Sequence, residues 1–302
     1  MSLQKKAAVA LGLFDGVHEG HRAVLQAALR QKKNGLVPSV FTFRSEMASQ
    51  KQAPGYIYTT NLKTWILENE CGMERIYAPP FELICAVSGD EFVKCTLHER
   101  MNAAYVCCGK DFRFGKDARW DVTDLQKLGE RYGFTVEVID DVRIGGTTVS
   151  SSEIRTLLQE GDLKKANLLL GDPYMLRGTV KEGAGIGHTI GFPTANIEFK
   201  EGQLVPKHGV YASETRTPDG TWHLSVTNIG MKPTVQYEGM PLSETYIDGY
   251  VGRLYGEKLR IVLTKLLRAE MQFDSVEALQ AQMEKDMVQR WQLSKTYHLS
   301  DT

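Results

Sequence analysis

No stretch of the sequence reaches membrane-spanning length, and the opening MSLQKKAAVALGLF passes straight from an apolar run into turn residues without the small-residue cleavage site of an export signal. Cysteine is scarce and unpatterned. The five residues Cys71, Cys85, Cys95, Cys107 and Cys108 are odd in number and contain no Cys-x-x-Cys pair, which argues against a disulfide frame or a zinc site. Together these absences predict a protein of the reducing cytoplasm with no membrane partner. Neither sign of charge is in excess, since 36 Lys and Arg stand against 37 Asp and Glu. A basic field that would recruit nucleic acid is therefore lacking. Several nucleotide and metal signatures are absent as well. No Gly-x-x-x-x-Gly-Lys-Ser/Thr loop occurs, and Gly183-Ala184-Gly185-Ile186-Gly187 lacks the third glycine at dinucleotide spacing. His18-Glu19-Gly20-His21 is one residue short of the zinc-protease pattern His-Glu-x-x-His.

What is present begins with Ala7 to His21, AAVALGLFDGVHEGH. A strand of small and apolar residues runs into a turn at Phe14-Asp15-Gly16-Val17, and a helical pattern follows from Arg22 to Leu29. Strand, tight turn and helix N-terminus together make an anion site, because free N–H groups and the positive end of the helix dipole point the same way. His18 and His21, three residues apart, share one face of that helical turn and add donors. Nucleotidyl transfer uses such preset donors, since charge builds on the α-phosphate oxygens and on departing pyrophosphate. Read alone, the tetrapeptide is also a plain βα turn whose histidines cap a helix. In its full context GLFDGVHEGH resembles the signature of the adenylyl-transferring nucleotidyltransferases, in the form found in bacterial riboflavin kinase/FAD synthetases. That resemblance assigns transition-state stabilisation to His18 and His21 and a binding role to Phe14 and Gly16.

Along the next 150 or so residues, strands alternate with helices of ordinary length. Strands are expected at Val37–Phe43, Arg75–Ala78, Ala103–Cys108 and Phe134–Ile139, with helices at Leu62–Glu70, after Ser88, and over Thr123–Tyr132. This order predicts a parallel, Rossmann-like sheet with helices on both faces and a ligand site at the carboxyl ends of its strands. Two further segments belong at that edge. Gly109-Lys110-Asp111-Phe112-Arg113-Phe114-Gly115 brings cations, aromatics and glycines to a strand end, and it resembles the family's flavin- and nucleotide-holding segment, which implies roles for Gly109, Asp111 and Phe112. Ser150-Ser151-Ser152-Glu153-Ile154-Arg155 opens a helix, where hydroxyls usually cap but also cradle phosphates. The family's second phosphate motif has this form, implicating Ser151, Ser152 and Arg155.

Gly171-Asp172-Pro173 punctuates a change of period, so the expected domains are residues 1–171 and 172–302. Short β candidates follow at Met175–Lys181, His208–Thr215, Trp222–Asn228, Ser243–Gly249 and Leu259–Leu266, which predicts a small antiparallel barrel. A C-terminal helix is expected from Asp274, with capping-box spacing to Glu277 and an apolar stripe of Val276, Leu279, Met283, Met287 and Trp291 packed on the barrel.

The strongest motif of this half is Gly187-His188-Thr189-Ile190-Gly191-Phe192-Pro193-Thr194-Ala195-Asn196. Thr194 and Asn196 place a hydroxyl and an amide oxygen on one side of an extended segment, the hard donors that Mg²⁺ takes when it bridges ATP phosphates. Gly-Phe-Pro-Thr-Ala-Asn resembles the flavokinase signature, which implies Mg²⁺ and ATP on Thr194 and Asn196 and close phosphate approach at Gly187. Asn228-Ile229-Gly230-x-x-Pro233-Thr234, Leu267-Arg268-Ala269-Glu270 and the spacing of Glu244 from Leu254-Tyr255-Gly256 continue the resemblance, which makes Glu244 the base at riboflavin's ribityl hydroxyl.

The chain departs from the family in four places. His188 replaces an arginine, and Asp248 to Arg253 replaces an acidic aromatic segment. Thr42-Phe43 is followed by Arg44-Ser45-Glu46-Met47 rather than x-Pro-His-Pro, and Lys116 to Trp120 lacks a late glycine. The resulting expectation is an enzyme that phosphorylates riboflavin to FMN and adenylylates FMN to FAD with ATP and Mg²⁺. Two alternatives stand beside it: a riboflavin kinase whose first domain only binds flavin or nucleotide, and a non-catalytic flavin sensor. The motifs assign no oligomeric state.

Overall fold

In the first unit the chain builds outward from β1 (Ala7–Leu11), every residue of which is buried. The computed structural model describes residues 5–45, 55–183, 191–231 and 241–293. A strand buried on both faces reads as a continuous apolar run, which is why β1, β2 (Val37–Phe41) and β4 (Ala103–Gly109) show little polar alternation. With β3 (Arg75–Tyr77) and β5 (Thr135–Ile139) they form one all-parallel sheet in the order β3-β2-β1-β4-β5. Val9 and Leu11 face a core with Phe92, Leu97, Leu125 and Leu128. On the other face Cys107 donates to the carbonyl of Val24 in helix α1 (Glu19–Arg30). Helices therefore cover both faces, as expected.

The connecting helices are α2 (Thr60–Asn69), α3 (Gly89–Glu91, running on as a π-helix over Phe92–Arg100) and α4 (Val122–Tyr132). Asp121 and Asp124 form a capping box at α4, and Gly133 closes it in the left-handed region, φ 77°. A small hairpin, β6 (Arg143–Ile144) with β7 (Thr147–Thr148), precedes α5 (Ser151–Glu160). Strand order turns outward on both sides of β1 and β4, so the switch point lies at their carboxyl ends.

The two compact units are Met1–Ser151 and Ser152–Thr302, parting upstream of the Gly171-Asp172-Pro173 punctuation. Helix α6 (Leu163–Leu170) docks within the second unit, where Asn167 donates to the carbonyl of Leu263 and accepts from the amide of Tyr174.

That unit is a curled antiparallel sheet ordered β8-β13-β10-β11-β12-β9, with β8 Tyr174–Thr179, β9 Thr194–Glu198, β10 Gly209–Arg216, β11 Trp222–Met231, β12 Pro241–Ile247 and β13 Lys258–Arg268. The amide of Lys181 bonds the carbonyl of Asn196, joining the chain beyond β8 to the far edge strand β9. Small barrels close in this way to remove their edges. One buried face is lined by hydroxyls. Ser213 bonds both Ser225 and Thr227 at 2.8 Å, Thr215 bonds Ser225 at 2.8 Å, and Thr227 bonds Thr245 at 2.9 Å. Each of these groups is fully buried and satisfied by its cross-strand neighbour.

Two expectations for the C-terminal helix α7 (Val276–Gln292) are corrected. Its N-cap is Ser275, which accepts from the amide of Ala278, rather than Asp274. Of the expected apolar stripe, Val276 is 52 % and Trp291 55 % exposed, while Met287 packs with Val210 and Val226. The inward positions beside Met287 are Asp286 and Arg290. Asp286 takes Arg268 through both carboxylate oxygens, and Arg290 donates to the carbonyl of Ser213 and to Glu214. The helix is held by one buried and one half-buried ion pair, which an apolar-period reading passes over.

Candidate functional site

The structure groups expected site residues in each unit. In the first, the turn after β1 bends through three positive-φ residues, Phe14 at 51°, Gly16 at 84° and Val17 at 44°. Non-glycine residues rarely hold that conformation unless the surroundings fix it. Here Phe14 and Val17 are buried, and Asp15 accepts from the amides of Ile57 and Tyr58, pinning the turn to the segment that leads into α2. The hydroxyl of Ser151, first residue of α5, donates to the carbonyl of Asp15. The bend places His18 at the N-cap of α1, where its Nδ1 accepts from the amide of His21 at 3.2 Å.

The imidazoles of His18 and His21 stack with centroids 3.5 Å apart and planes 13° from parallel, and Phe14 meets the edge of the His21 pair at 5.3 Å. A side chain at Gly20 would press on the His18 ring. Burial, then the neighbouring His18 and Lys63, hold the His21 pKa well below the usual imidazole value, so it is neutral near pH 7. Its Nδ1 is buried with no hydrogen-bond partner. Such an orphan is expected at a site completed by a ligand.

Lys63 was not singled out by the sequence, yet it stands at the same sheet edge. Its side chain is 1 % exposed, and its ammonium donates to the carbonyls of Leu13 and Phe43 and to the hydroxyl of Thr42. A lone lysine in an amphipathic helix gives no sequence signal of this kind, since lysines ordinarily face water.

The segment after β4 is fixed by local contacts. Gly109 ends the strand, and Asp111 folds its carboxylate over the Gly109 Cα. Phe112 is half-buried and stacks on Phe114 at 5.8 Å. The segment's two cations are turned to local acids, Lys110 to Asp141 at 2.8 Å and Arg113 to Asp121 at 3.8 Å. Trp120 pairs with Phe114 through two backbone bonds, and its indole lies where a Cβ on Gly89 would stand. Ser152 is exposed and Arg155 buried on α5, both within the second unit. Glu46 falls outside the described residues.

In the second unit one row of directly opposed residues crosses the sheet, Asn196 on β9, Glu244 on β12, Asn228 on β11 and Val210 on β10. Thr194 opposes Tyr246 one step along the same face. Period-two alternation thus brings Thr194, Asn196 and Glu244 together from motifs far apart in sequence. Glu244 is exposed, whereas Asn196 is 5 % exposed and its Oδ1 is buried without a partner. Gly183 leaves the space the Asn196 amide fills, because a Cβ there would collide with Nδ2.

Beside the row, Glu270 takes the Asn228 amide at 3.3 Å and His208 at 3.7 Å, and its carboxylate packs against the Gly230 Cα. Phe192 meets Tyr246 edge-on at 4.8 Å, giving the face an aromatic flank next to α7. Gly187, His188, Pro233 and Thr234 lie outside the described residues. A buried amide oxygen lacking a partner, next to a hydroxyl and a carboxylate, is a donor set suited to Mg²⁺, which takes oxygen ligands and shares them with phosphates. No cluster of three His, Cys, Asp or Glu suited to a metal occurs among the described residues.

Comparison with known proteins matches successive parts of the chain to two families. The family described as FAD synthetase matches residues 1–153, and that described as riboflavin kinase matches residues 170–293. A bifunctional riboflavin kinase/FMN adenylyltransferase of Escherichia coli (strain K12) is 34% identical over 288 residues, covering 94% of this chain and 91% of the relative. The Listeria monocytogenes protein of the same description is 35% identical over 284 residues, 92% of this chain and 89% of its own. A solved structure described as a macrolide-efflux protein from Streptococcus pneumoniae superposes with a TM-score of 0.82 at 27% identity, covering 97% of this chain and 96% of that one. Among the described residues no helix is long and apolar enough to cross a membrane.

Proposed function

The chain belongs to the bifunctional riboflavin kinase/FMN adenylyltransferase family, and from that premise we propose which of its residues carry each half of the chemistry. It is a transferase that converts riboflavin to FMN and FMN to FAD, with ATP as co-substrate of both steps.

Riboflavin phosphorylation falls to the face of the barrel that carries Thr194, Asn196 and Glu244. Glu244 accepts the proton of the ribityl 5′-hydroxyl as that oxygen bonds to the γ-phosphorus and ADP leaves. A carboxylate of ordinary acidity does not strip an alcohol beforehand, so its contribution is placement at the moment of transfer. Thr194 and Asn196 hold Mg²⁺ and ATP; when bound, the metal neutralises charge on the transferring phosphates. Gly187 belongs to the same phosphate approach. The observation that carries this assignment is the partnerless buried Oδ1 of Asn196 directly across from Glu244.

FMN adenylylation falls to the switch point of the parallel sheet. A phosphate oxygen of FMN bonds to the α-phosphorus of ATP and pyrophosphate departs, with no covalent enzyme intermediate. His18 and His21 donate to the oxygens on which charge builds, in a buried setting where a fixed donor needs little reorganisation. Ser151, Ser152 and Arg155 grip phosphates, while Phe14, Gly16, Gly109, Asp111 and Phe112 shape the nucleotide and flavin subsites. We assign residues 1–171 to this activity and 172–302 to the kinase. Five free cysteines, two of them exposed, support a reducing, cytoplasmic setting.

Incubating the pure protein with riboflavin, ATP and Mg²⁺ and resolving the flavins by chromatography tests this reading. FMN followed by FAD is expected. FMN alone would leave the first unit a binding domain, and neither product would overturn the assignment.

A further inference from the structure

Lys63 is the one fully buried ammonium at the carboxyl edge of the parallel sheet among the described residues. Burying a lysine is costly unless its three N–H donors are used. Here they are. Nζ donates to the carbonyl of Leu13, just past β1, at 2.9 Å, to the carbonyl of Phe43, just past β2, at 2.6 Å, and to Thr42 Oγ1 at 3.3 Å. Thr42 Oγ1 in turn donates to Leu13 at 2.9 Å, so one cation and one hydroxyl close a ring between the two strand ends. Leu13 is the residue before the strained turn of Phe14 to Val17, from which His18 and His21 project.

We propose that Lys63 is a positioning residue of adenylyl transfer, its buried ammonium binding the ends of β1 and β2 into the frame on which the His18–His21 pair stands. The proposal rests on the assignment of that pair to FMN adenylylation. Three features support it. The donor geometry uses carbonyls just beyond strand ends, where the sheet itself leaves them unpaired. The helix that carries Lys63 is reached through Ile57 and Tyr58, whose amides hold Asp15 in the same turn, so α2 grips the turn at two points. The ammonium, held by three oxygen acceptors, also places positive charge at an edge suited to gathering a triphosphate. The titratable groups acting on His21 are His18, stacked on it from the helix N-terminus, and Lys63 from α2, and both disfavour its protonation. Asp15, in the preceding turn, is engaged by the Ile57 and Tyr58 amides.

The test uses the full chain with Lys63→Met and Lys63→Arg, and the kinase in the second unit serves as an internal control. Lys63→Met is expected to lower kcat for FAD formation about tenfold or more, the loss of one such tie in a preorganised site, while riboflavin phosphorylation stays within about twofold. The imidazole titration of His21, followed by NMR, is expected to move up in Lys63→Met and to return toward the wild-type value in Lys63→Arg. FAD formation that is unchanged in Lys63→Met overturns the proposal. So does a loss of FAD formation with an unmoved His21 titration, which marks a merely structural lysine. If Lys63→Met does not fold, Thr42→Val, which removes one acceptor of the ammonium and the hydroxyl's own tie to Leu13, decides: lowered FAD formation with riboflavin phosphorylation unchanged supports the proposal, and unchanged FAD formation overturns it. A wild-type protein that makes no FAD would instead mark failure of the functional assignment beneath.

Discussion

Asn196 and Glu244 are directly opposed Cα partners on β9 and β12, with Asn228 next in the row on β11. The amide proposed to hold Mg²⁺ and ATP and the carboxylate proposed to receive the proton are thus fixed by sheet register rather than by loop conformation. A site built on paired strands is positioned more exactly than one on loops.

This register makes Gly183 a sensitive position. Its Cα fills the space beside the Asn196 amide, and a Cβ would collide with Nδ2. Gly183→Ala is expected to raise KM for MgATP in riboflavin phosphorylation by about tenfold, the equivalent of one displaced hydrogen-bonding group, with FAD formation from supplied FMN unchanged. Steady-state kinetics on the two half-reactions checks it.

His21 links stability to pH. Its folded pKa lies well below the value of about 6.5 that it regains on unfolding, so the unfolded chain binds more protons in the interval between them. Stability therefore falls as pH drops below about 6.5 and levels off below the folded pKa. His21→Gln is expected to flatten this acid limb in urea titrations at successive pH values. A variant whose limb is as steep as wild type would show that other groups set it.

The ion pair between Arg290 and Glu214 is 2 % and 0 % exposed on its two sides, with N···O 3.2 Å. Burial pulls the guanidinium pKa down while Glu214 pushes it back up. Removing one partner strands a buried charge, so Arg290→Met is expected to cost about 3–5 kcal/mol, and adding Glu214→Leu to recover most of it. Denaturant unfolding of the two variants distinguishes a stranded charge from simple loss of packing.

Trp120 lies over Gly89, and no side chain fits between them. Gly89→Ala is expected to destabilise the first unit by about 1–3 kcal/mol through overpacking, and to leave kinase activity intact. Calorimetry paired with the kinase assay checks both halves.

Much of the frame was legible because period reports burial. The continuous apolar runs of β1, β2 and β4 come directly from which faces are covered. His18 with His21, and Thr194 with Asn196, were legible since each pair is local. The pairing of Glu244 with Asn196 depends on register between distant strands, and the sequence hinted at it only through spacing to Leu254-Tyr255-Gly256. Lys63, Arg290 and Asp286 escaped because a charged residue in a helix reads as solvated until its partner on another element is known. The hydroxyl ladder of Ser213, Ser225, Thr227 and Thr245 escaped for the same reason, since small polar residues in strands look like an exposed face.

The claim on which the account stands is that two independent sites divide the chemistry, and two single variants assayed on both half-reactions test it most directly. Glu244→Gln should abolish formation of FMN from riboflavin while converting supplied FMN to FAD at the wild-type rate. His21→Ala should show the reverse. Loss of both half-reactions in either folded variant, or of neither, would contradict the division.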